Sequence, residues 1–290
     1  MKRFWILIIF TWINCGLLIA EENSKKNRKS IKSKVSKTDE RNDEFHIPKD
    51  YDPQKKYPFI LNLHGYGSNG KGQLMFFPLK KLAEKYDFIF CAPDGIEKRW
   101  NATDACCDWK NEVDDSKYLR DLILKAMNAY NIDKKRVFVM GLSNGGFMSY
   151  RMAHDHSDLI TGIVPFAGVG FTQWPNTPEN PVSILHIHGT KDRTIKWAGG
   201  GVGRRRYPSA EDNFAKWKEF NNCKKKVDLE KSTIDLDRKV SGSETEIVRF
   251  ESDDSKVVME LWEVVDGAHV TPPRSAARER IIQWMLARTK

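Results

Sequence analysis

Short apolar runs alternate with amphipathic stretches of helical spacing from Phe45 to the end of the chain. The runs read as buried strands and the stretches as helices. The predicted strands are residues 58–63, 88–92, 136–140, 160–166, 183–187 and 257–265, and the predicted helices are residues 74–86, 114–130, 144–154, 210–220 and 275–287. This alternation predicts an α/β protein with a mostly parallel central sheet covered by helices on both faces.

One connection in this pattern carries the sequence Gly141-Leu142-Ser143-Asn144-Gly145. It follows the predicted strand at 136–140 directly and opens the predicted helix at 144–154. A GxSxG pattern between a strand and a helix is the signature of a nucleophile elbow, a tight turn that lifts the serine hydroxyl above the sheet edge. Ser143 is therefore the predicted nucleophile. The alternative is a glycine-rich turn without catalytic function.

A serine nucleophile needs a base, and the base needs an orienting acid. In this fold the acid and then the histidine follow later strands. Asp192 comes just after the strand at 183–187, and His269 comes just after the strand at 257–265. Asp266 is a rival for the acid, although it lies only three residues from the histidine. His186 is expected to pack in its strand and His188 to shape the loop that bears the acid.

An oxyanion hole needs two backbone N–H donors. Asn144, directly after the serine, should supply one of them. The other should come from the glycine-rich loop at 64–70, which follows the first long strand, and Tyr66 is the candidate. A plain glycine-rich turn is the alternative for this loop.

The residues that carry this chemistry resemble an esterase family of the α/β-hydrolase superfamily, which includes polyhydroxybutyrate depolymerases and feruloyl or acetylxylan esterases. The resemblance covers residues 45–290 and rests on the motifs LHGYGSNG, APDG, WNATDACCDW, VDD, GLSNGG, HGTKD and DGAH. It implies an α/β-hydrolase fold, with Ser143, Asp192 and His269 as the catalytic triad and Tyr66 and Asn144 as the oxyanion hole. Family members often have GGGH followed by an aromatic residue and proline, whereas this chain has DGAHVTPP. The acyl-group preference therefore stays open.

Three tryptophans are candidate substrate-binding residues: Trp100, Trp109 and Trp197. They lie in predicted loops near strand ends. Aromatic faces bind sugar rings, ferulate rings or polyester chains alike, and loop packing is the alternative for each of them. No metal or organic cofactor is expected.

The net charge of +9 is unevenly distributed. Residues 1–20 carry +2 and residues 21–41 carry +4, which leaves +3 for residues 42–290. A basic excess indicates a polyanion partner only where it lies on a folded surface. The charge therefore gives no reason to expect a nucleic-acid partner, and the expected partner is the ester substrate that the resemblance implies.

The chain begins with two basic residues and an apolar stretch, a pattern typical of an export signal over residues 1–20. Residues 21–41 are basic and almost free of apolar residues, which predicts a disordered linker. Residues 42–290 form the predicted catalytic domain. We expect a secreted or periplasmic protein without stable membrane insertion once the signal is removed. An uncleaved anchor is the alternative.

Signal removal would leave Cys91, Cys106, Cys107 and Cys223. Export makes disulfides possible. Four cysteines allow three full pairings, and the sequence does not choose among them. A bond between the adjacent Cys106 and Cys107 would strain the chain. We expect one of these two to pair with Cys223 and to clamp a loop to a later helix. Four buried thiols are the alternative.

Together these features predict a secreted serine esterase that works through an acyl-enzyme. The predicted substrates are feruloyl or acetyl esters of plant polysaccharide, or hydroxyalkanoate oligomers. Two other functions stay open: a serine peptidase of the prolyl oligopeptidase type, and a catalytically inactive binding protein on the hydrolase fold.

Overall fold

The computed structural model of the chain describes residues 41–107, 113–203 and 205–290. Ten strands within this part form one sheet, and two more form a separate hairpin. In chain order the strands are β1 (Phe45–His46), β2 (Tyr57–Leu63), β3 (Ile89–Cys91), β4 (Ile132–Leu142), β5 (Gly162–Phe166), β6 (Ser183–Gly189), β7 (Gly200–Val202), β8 (Arg205–Tyr207), β9 (Lys225–Val227), β10 (Thr233–Ile234), β11 (Thr245–Glu251) and β12 (Val258–Val264).

The centre of the sheet is parallel and its edges are antiparallel. The strands β3, β2, β4, β5, β6 and β12 follow one another as parallel neighbours. On one side β1 pairs antiparallel with β3, and on the other β11 continues the sheet antiparallel to β12 and pairs with β9 and β10. The predicted fold class, a mostly parallel α/β sheet, is confirmed.

Helices cover both faces of this sheet. They are α1 (Gly70–Phe76), α2 (Lys80–Tyr86), α3 (Asp115–Ala129), α4 (Asn144–Asp155), α5 (Ala210–Phe220) and α6 (Ser275–Leu286). Each face of the sheet has its own hydrophobic core, and successive residues of β2 pack into the two cores alternately. Phe59 and Leu61 pack on the side of α3, α4 and α5, and Ile60 packs on the side of α2 and α6. Because successive side chains of a strand point to opposite faces, a strand buried on both faces reads as the continuous apolar run seen in the sequence.

The structure differs from the predicted elements in two places. The single helix expected over residues 74–86 is two helices, α1 and α2, with Pro78 between them. Proline lacks the N–H that a continuous helix would need there. The strands β1 and β7 to β11 were not predicted, because very short runs, and polar and partly exposed ones such as that of β9, lack the apolar signal of the central strands.

The cysteine prediction was wrong. Cys223 is a free buried thiol and pairs with neither Cys106 nor Cys107. Cys106 lies near the beginning of α4, with its sulfur 4.0 Å from the Asn144 side chain. Cys223 follows the end of α5 and contacts the Val257 carbonyl, just before β12 begins. Cys106 therefore lies at the carboxyl ends of the parallel strands, and Cys223 lies at their amino ends.

Residues Asn42–Lys290 form one compact unit. The predicted signal at 1–20 and all of the predicted linker except Arg41 lie outside the described residues. In the part that is described, no helix combines the length and the apolar character needed to span a bilayer.

Candidate active site

Ser143 occupies the turn between β4 and α4. Its backbone has φ 54° and ψ −117°, and its amide donates to the Phe166 carbonyl at 2.7 Å. A positive φ is unfavourable for a residue with a Cβ, so this conformation stores strain that the surrounding structure must hold. The turn places the serine side chain above the carboxyl edge of the sheet, at the N-terminus of α4.

Close packing of the backbone explains why glycines flank the serine. A Cβ on Gly141 would lie 2.5 Å from the carbonyl oxygen of Gly145. A Cβ on Gly145 would collide with the Leu63 carbonyl and lie 2.7 Å from that of His64. The end of β2 therefore rests directly on the first turn of α4, and only glycine fits at the contact.

The structure brings Ser143, His269 and Asp192 together at this edge. His269 Nε2 lies 2.9 Å from Ser143 Oγ, and His269 Nδ1 lies 2.7 Å from Asp192 Oδ2. The rival acid, Asp266, is exposed, and its carboxylate pairs with Lys191 at 2.8 Å. A hydroxyl bonded to an imidazole that is in turn bonded to a carboxylate is the arrangement that activates serine for nucleophilic attack.

The Asp192 carboxylate has donors on both oxygens. Its Oδ1 accepts from the amides of Thr194 at 2.7 Å and Ile195 at 2.9 Å, while Oδ2 faces the ring nitrogens of His188 and His269. Burial alone would disfavour the charge. The hydrogen bonds from His188 and His269 outweigh that effect and hold the pKa of Asp192 well below its usual range. Asp192 is therefore a carboxylate throughout the neutral pH range.

The loop predicted to supply an oxyanion donor lies against the serine. A Cβ added to Gly65 would be 3.6 Å from Ser143 Cβ. His64 fixes the loop, since its Nε2 accepts from the Gly95 amide at 2.8 Å and its Nδ1 donates to the Gly65 carbonyl at 2.8 Å. Burial lowers the pKa of His64, in keeping with a neutral ring that accepts at Nε2. The side chain of the next residue, Tyr66, is 60% exposed.

Asn144, the other predicted oxyanion donor, is fully buried at the beginning of α4. The first amides of a helix have no acceptor within the helix, so this position suits an N–H aimed at substrate. The Asn144 side chain also bonds to Trp100, through the Trp100 amide at 2.7 Å and its carbonyl at 3.0 Å. Sequence reasoning missed this second role. An amide side chain directly after the serine was its only signal.

The three predicted substrate-binding tryptophans have different positions. Trp100 has no exposed surface, and its indole donates to the His64 carbonyl at 3.0 Å. The expectation that it binds substrate was wrong, because it packs behind the 64–70 loop. Trp109 lies outside the described residues. Trp197 is partly exposed and lines a cavity of about 370 Å³ beside Asp192, together with Thr190, Lys191, Arg193, Lys196 and Ala198.

Within the described ranges, no cluster of three or more His, Cys, Asp or Glu side chains is arranged to hold a metal ion. The expectation of a cofactor-free site stays a prediction.

The sheet order and the serine turn define an α/β hydrolase. Comparison with known families gives the narrower class: residues 44–213 match the model of the phospholipase/carboxylesterase family. The chain belongs to this family of serine esterases. The matched residues include the serine turn and Asp192, and His269 lies beyond them.

Similar proteins carry esterase names. The chain is 31% identical over 167 residues to an acetylxylan esterase of Coprinopsis cinerea, covering 54% of this chain and 44% of that protein. It is 26% identical over 160 residues to feruloyl esterase C of Emericella nidulans, covering 53% and 56%. It is 25% identical over 190 residues to feruloyl esterase B of Piromyces equi, covering 61% and 35%. The chain thus spans about half the length, or less, of these curated relatives.

Solved structures show the same fold. An acetyl xylan esterase from Aspergillus awamori superimposes with a TM-score of 0.56 at 14% sequence identity, over 83% of this chain and 92% of that chain. At this level of identity the similarity establishes the fold alone.

Proposed function

We propose that this chain is a carboxylic-ester hydrolase in which Ser143 is the nucleophile, His269 the general base and acid, and Asp192 the residue that orients the histidine. One observation carries the proposal: the continuous hydrogen-bonded path from Ser143 Oγ through both nitrogens of His269 to Asp192 Oδ2, with distances of 2.9 and 2.7 Å. Both distances lie within the reach needed for proton transfer.

In the first half of the reaction, Ser143 Oγ attacks the ester carbonyl carbon while His269 Nε2 takes the hydroxyl proton. The carbonyl oxygen becomes an oxyanion, which accepts hydrogen bonds from the backbone amides of Asn144 and Tyr66. Donors fixed in advance are worth about 10²–10³ in rate each where one has been removed from such a site. His269 then gives its proton to the leaving alcohol, and the acyl group stays on the serine.

In the second half, His269 takes a proton from water, and the resulting hydroxide attacks the acyl-enzyme carbonyl. Collapse of this second oxyanion releases the carboxylic acid, and His269 returns the proton to Ser143 Oγ. The anionic Asp192 holds His269 with Nδ1 protonated and stabilises the imidazolium that forms in each half.

The proposed substrates are feruloyl or acetyl esters of plant polysaccharide, with hydroxyalkanoate oligomers as a second class. The names of the relatives favour the first class. The partly exposed Trp197 supports a ring-bearing substrate, since its indole lines the cavity beside Asp192 and can stack on a sugar or aromatic ring.

The test is hydrolysis of methyl ferulate, acetylated xylan and hydroxybutyrate oligomers by the purified chain. Ser143→Ala and Asp192→Asn serve as the variants. We expect Ser143→Ala to abolish turnover and Asp192→Asn to lower kcat by about 10⁴, because the amide leaves His269 in the wrong tautomer. Full hydrolysis by Ser143→Ala would overturn the proposal.

The other two functions have their own outcomes in this experiment. Cleavage of peptides together with failure on all three esters would identify a peptidase. Failure of a fluorophosphonate probe to label Ser143 would identify an inactive binding protein.

Export is part of the same proposal and rests on the basic and apolar pattern of residues 1–20. Expression of the full chain followed by N-terminal sequencing of the extracellular fraction tests it. A chain retained inside the cell with Met1 intact would contradict export.

A further inference from the structure

Three buried side chains that the proposed mechanism does not use lie in a row behind Asp192. Tyr150 belongs to α4, and His186 and His188 belong to β6, where their spacing of two places both rings on the same face of the sheet. All three are 0% exposed. Polar groups buried this deeply are costly unless each is hydrogen-bonded, so their arrangement calls for a physical account.

The three side chains form a continuous path to the turn that bears the acid. Tyr150 Oη lies 2.8 Å from His186 Nδ1, and His186 Nε2 lies 3.3 Å from His188 Nδ1. His188 Nε2 then lies 2.7 Å from the Ile195 carbonyl and 3.3 Å from Asp192 Oδ2. The Ile195 amide donates to Asp192 Oδ1 at 2.9 Å. His188 therefore contacts both the carboxylate and the backbone that folds around it.

The direction of each hydrogen bond in this path follows from its last acceptor, the Ile195 carbonyl oxygen that faces His188 Nε2. A carbonyl oxygen can only accept, so His188 Nε2 carries a proton. Asp192 Oδ2 lies 3.3 Å from the same nitrogen and also only accepts, so one proton on Nε2 serves both contacts and none is needed on Nδ1. A neutral His188 accepts at Nδ1, so the facing Nε2 of His186 must donate. His186 Nδ1 is then left to accept from the Tyr150 hydroxyl.

Burial favours the neutral forms that this arrangement needs. Desolvation by burial lowers the pKa of His186 well below its ordinary value. Desolvation also raises the pKa of the Tyr150 phenol, so its proton stays in place to be donated.

We propose that His188 is a positioning residue for Asp192, held as the Nε2–H tautomer by His186 and Tyr150, and that it clamps the turn 192–195 in the geometry that His269 requires. This inference rests on the proposed function, in which Asp192 orients His269. It assigns a role to a second histidine, which does not touch substrate. In the path from Tyr150 to Asp192, every hydrogen bond is then donated in the same direction, toward Asp192; we call this path the directed chain.

The tautomers can be measured without turnover, by long-range ¹H–¹⁵N correlation of the imidazole rings in the intact protein near neutral pH. We expect a protonated Nε2 and an unprotonated Nδ1 on both His186 and His188. A proton on Nδ1 of His188, in either the other tautomer or the cation, would overturn the directed chain. Because this readout is independent of catalysis, it stands even if the proposed esterase activity fails.

Kinetics test the positioning role with His188→Phe, His188→Gln and Tyr150→Phe. We expect His188→Phe to lower kcat by about 100-fold with little change in KM, since a small displacement of a catalytic group has an effect of that size. His188→Gln should recover part of the loss, because its amide can donate to the Ile195 carbonyl. Tyr150→Phe should lower kcat by about tenfold, since the buried His186 Nδ1 loses its donor.

Tyr57→Phe is the matched control, because Tyr57 is also buried in the core and bonds through its hydroxyl to a backbone amide, that of Asp52, at 2.9 Å. It should leave kcat unchanged. Wild-type kcat in folded His188→Phe would overturn the positioning role, and so would a loss that appears in KM instead of kcat. If His188→Phe does not fold, the comparison of Tyr150→Phe with Tyr57→Phe decides: equal kcat in the two would count against the proposal.

Discussion

The side-chain amide of Asn144 forms hydrogen bonds with both the backbone N–H and the backbone carbonyl of Trp100. Its Oδ1 accepts from the Trp100 amide at 2.7 Å, and its Nδ2 donates to the Trp100 carbonyl at 3.0 Å. The residue proposed to bind the oxyanion is thereby attached to the loop that backs the other oxyanion donor. The Asn144 amide thus helps to fix the loop relative to the first turn of the helix, and Arg151, two turns further along α4, adds a bond to the Asn101 carbonyl at 2.6 Å.

Asn144→Ala should reduce catalysis although the Asn144 backbone N–H is retained. The buried amide and carbonyl of Trp100 lose their partners, which costs about 2 kcal/mol in stability, and the loop moves relative to the serine. We expect kcat to fall about tenfold, measured on a small ester together with urea unfolding.

Asn221→Ala is the matched control for this change. Asn221 pairs with Val182 in the same two-bond manner, at 3.0 and 2.7 Å, but it lies beyond the end of α5. It should lose similar stability and keep its kcat. Equal kcat values for the two variants would show that the Asn144–Trp100 pairing has no catalytic consequence.

Gly145→Ala should disable the enzyme by steric collision. Its Cβ would lie 2.7 Å from the His64 carbonyl, so the end of β2 and the loop after it must move. We expect a loss of kcat of about 100-fold or more, measured with a chromogenic ester. In Gly242→Ala the new Cβ meets nothing within 4 Å, and only the positive φ of 87° is unfavourable. That control should lose about 1 kcal/mol of stability and no activity.

Substitutions of Trp100 and Trp197 should change different steady-state constants, kcat for Trp100 and KM for Trp197. Trp100→Phe removes the indole N–H that bonds to the His64 carbonyl, so we expect a lower kcat and an unchanged KM. Trp197→Ala removes a ring from the cavity wall, so we expect a higher KM for methyl ferulate and an unchanged KM for a small aliphatic ester. A KM effect of Trp100→Phe alone would contradict the structural assignment of the two rings.

Asp155 makes the stability of α4 depend on pH. Burial opposes its charge, but hydrogen bonds from His154, Ser116 and Arg151 outweigh burial and lower the pKa of Asp155 from 3.8 to about 2. A carboxyl whose folded pKa is depressed stabilises the fold above its unfolded pKa, and that contribution disappears as the pH falls through the folded value.

Asp155→Asn should therefore destabilise the protein by about 1 kcal/mol at pH 7, after allowance for solvent screening. The difference should shrink between about pH 4 and pH 2. Urea unfolding across this range measures it, with Asp50→Asn, an exposed loop carboxylate, as the control. A difference from wild type that is independent of pH would contradict the charge-based explanation.

The sequence was sufficient to predict that Ser143, Asp192 and His269 lie close together. Each follows a strand of the parallel sheet, and parallel strands end at one edge, so chain order and strand ends locate all three. The apolar runs of these strands are the strongest signal in the chain, because burial on both faces leaves no polar positions to interrupt them.

The supporting contacts were not predictable in the same way. In the sequence Trp100 is an aromatic residue in a predicted loop, and its burial depends on contacts with His64, 36 residues earlier, and with Asn144, 44 residues later. The position of Cys223 as a free thiol beside the Val257 carbonyl depends on where α5 ends relative to the sheet. Such features follow from three-dimensional packing between distant segments, for which a single sequence contains no periodic signal.

The backbone of Ser143 has a consequence for how this protein could be altered by selection. Glycine adopts φ 54° without strain, so Ser143→Gly should raise the free energy of unfolding by about 1 kcal/mol over Ser143→Ala, which keeps the strain. Urea denaturation of the two inactive variants measures this, and equal stability would show that the turn is relaxed. Selection for thermal resistance alone would therefore favour glycine at position 143, whereas the proposed reaction requires the serine hydroxyl there.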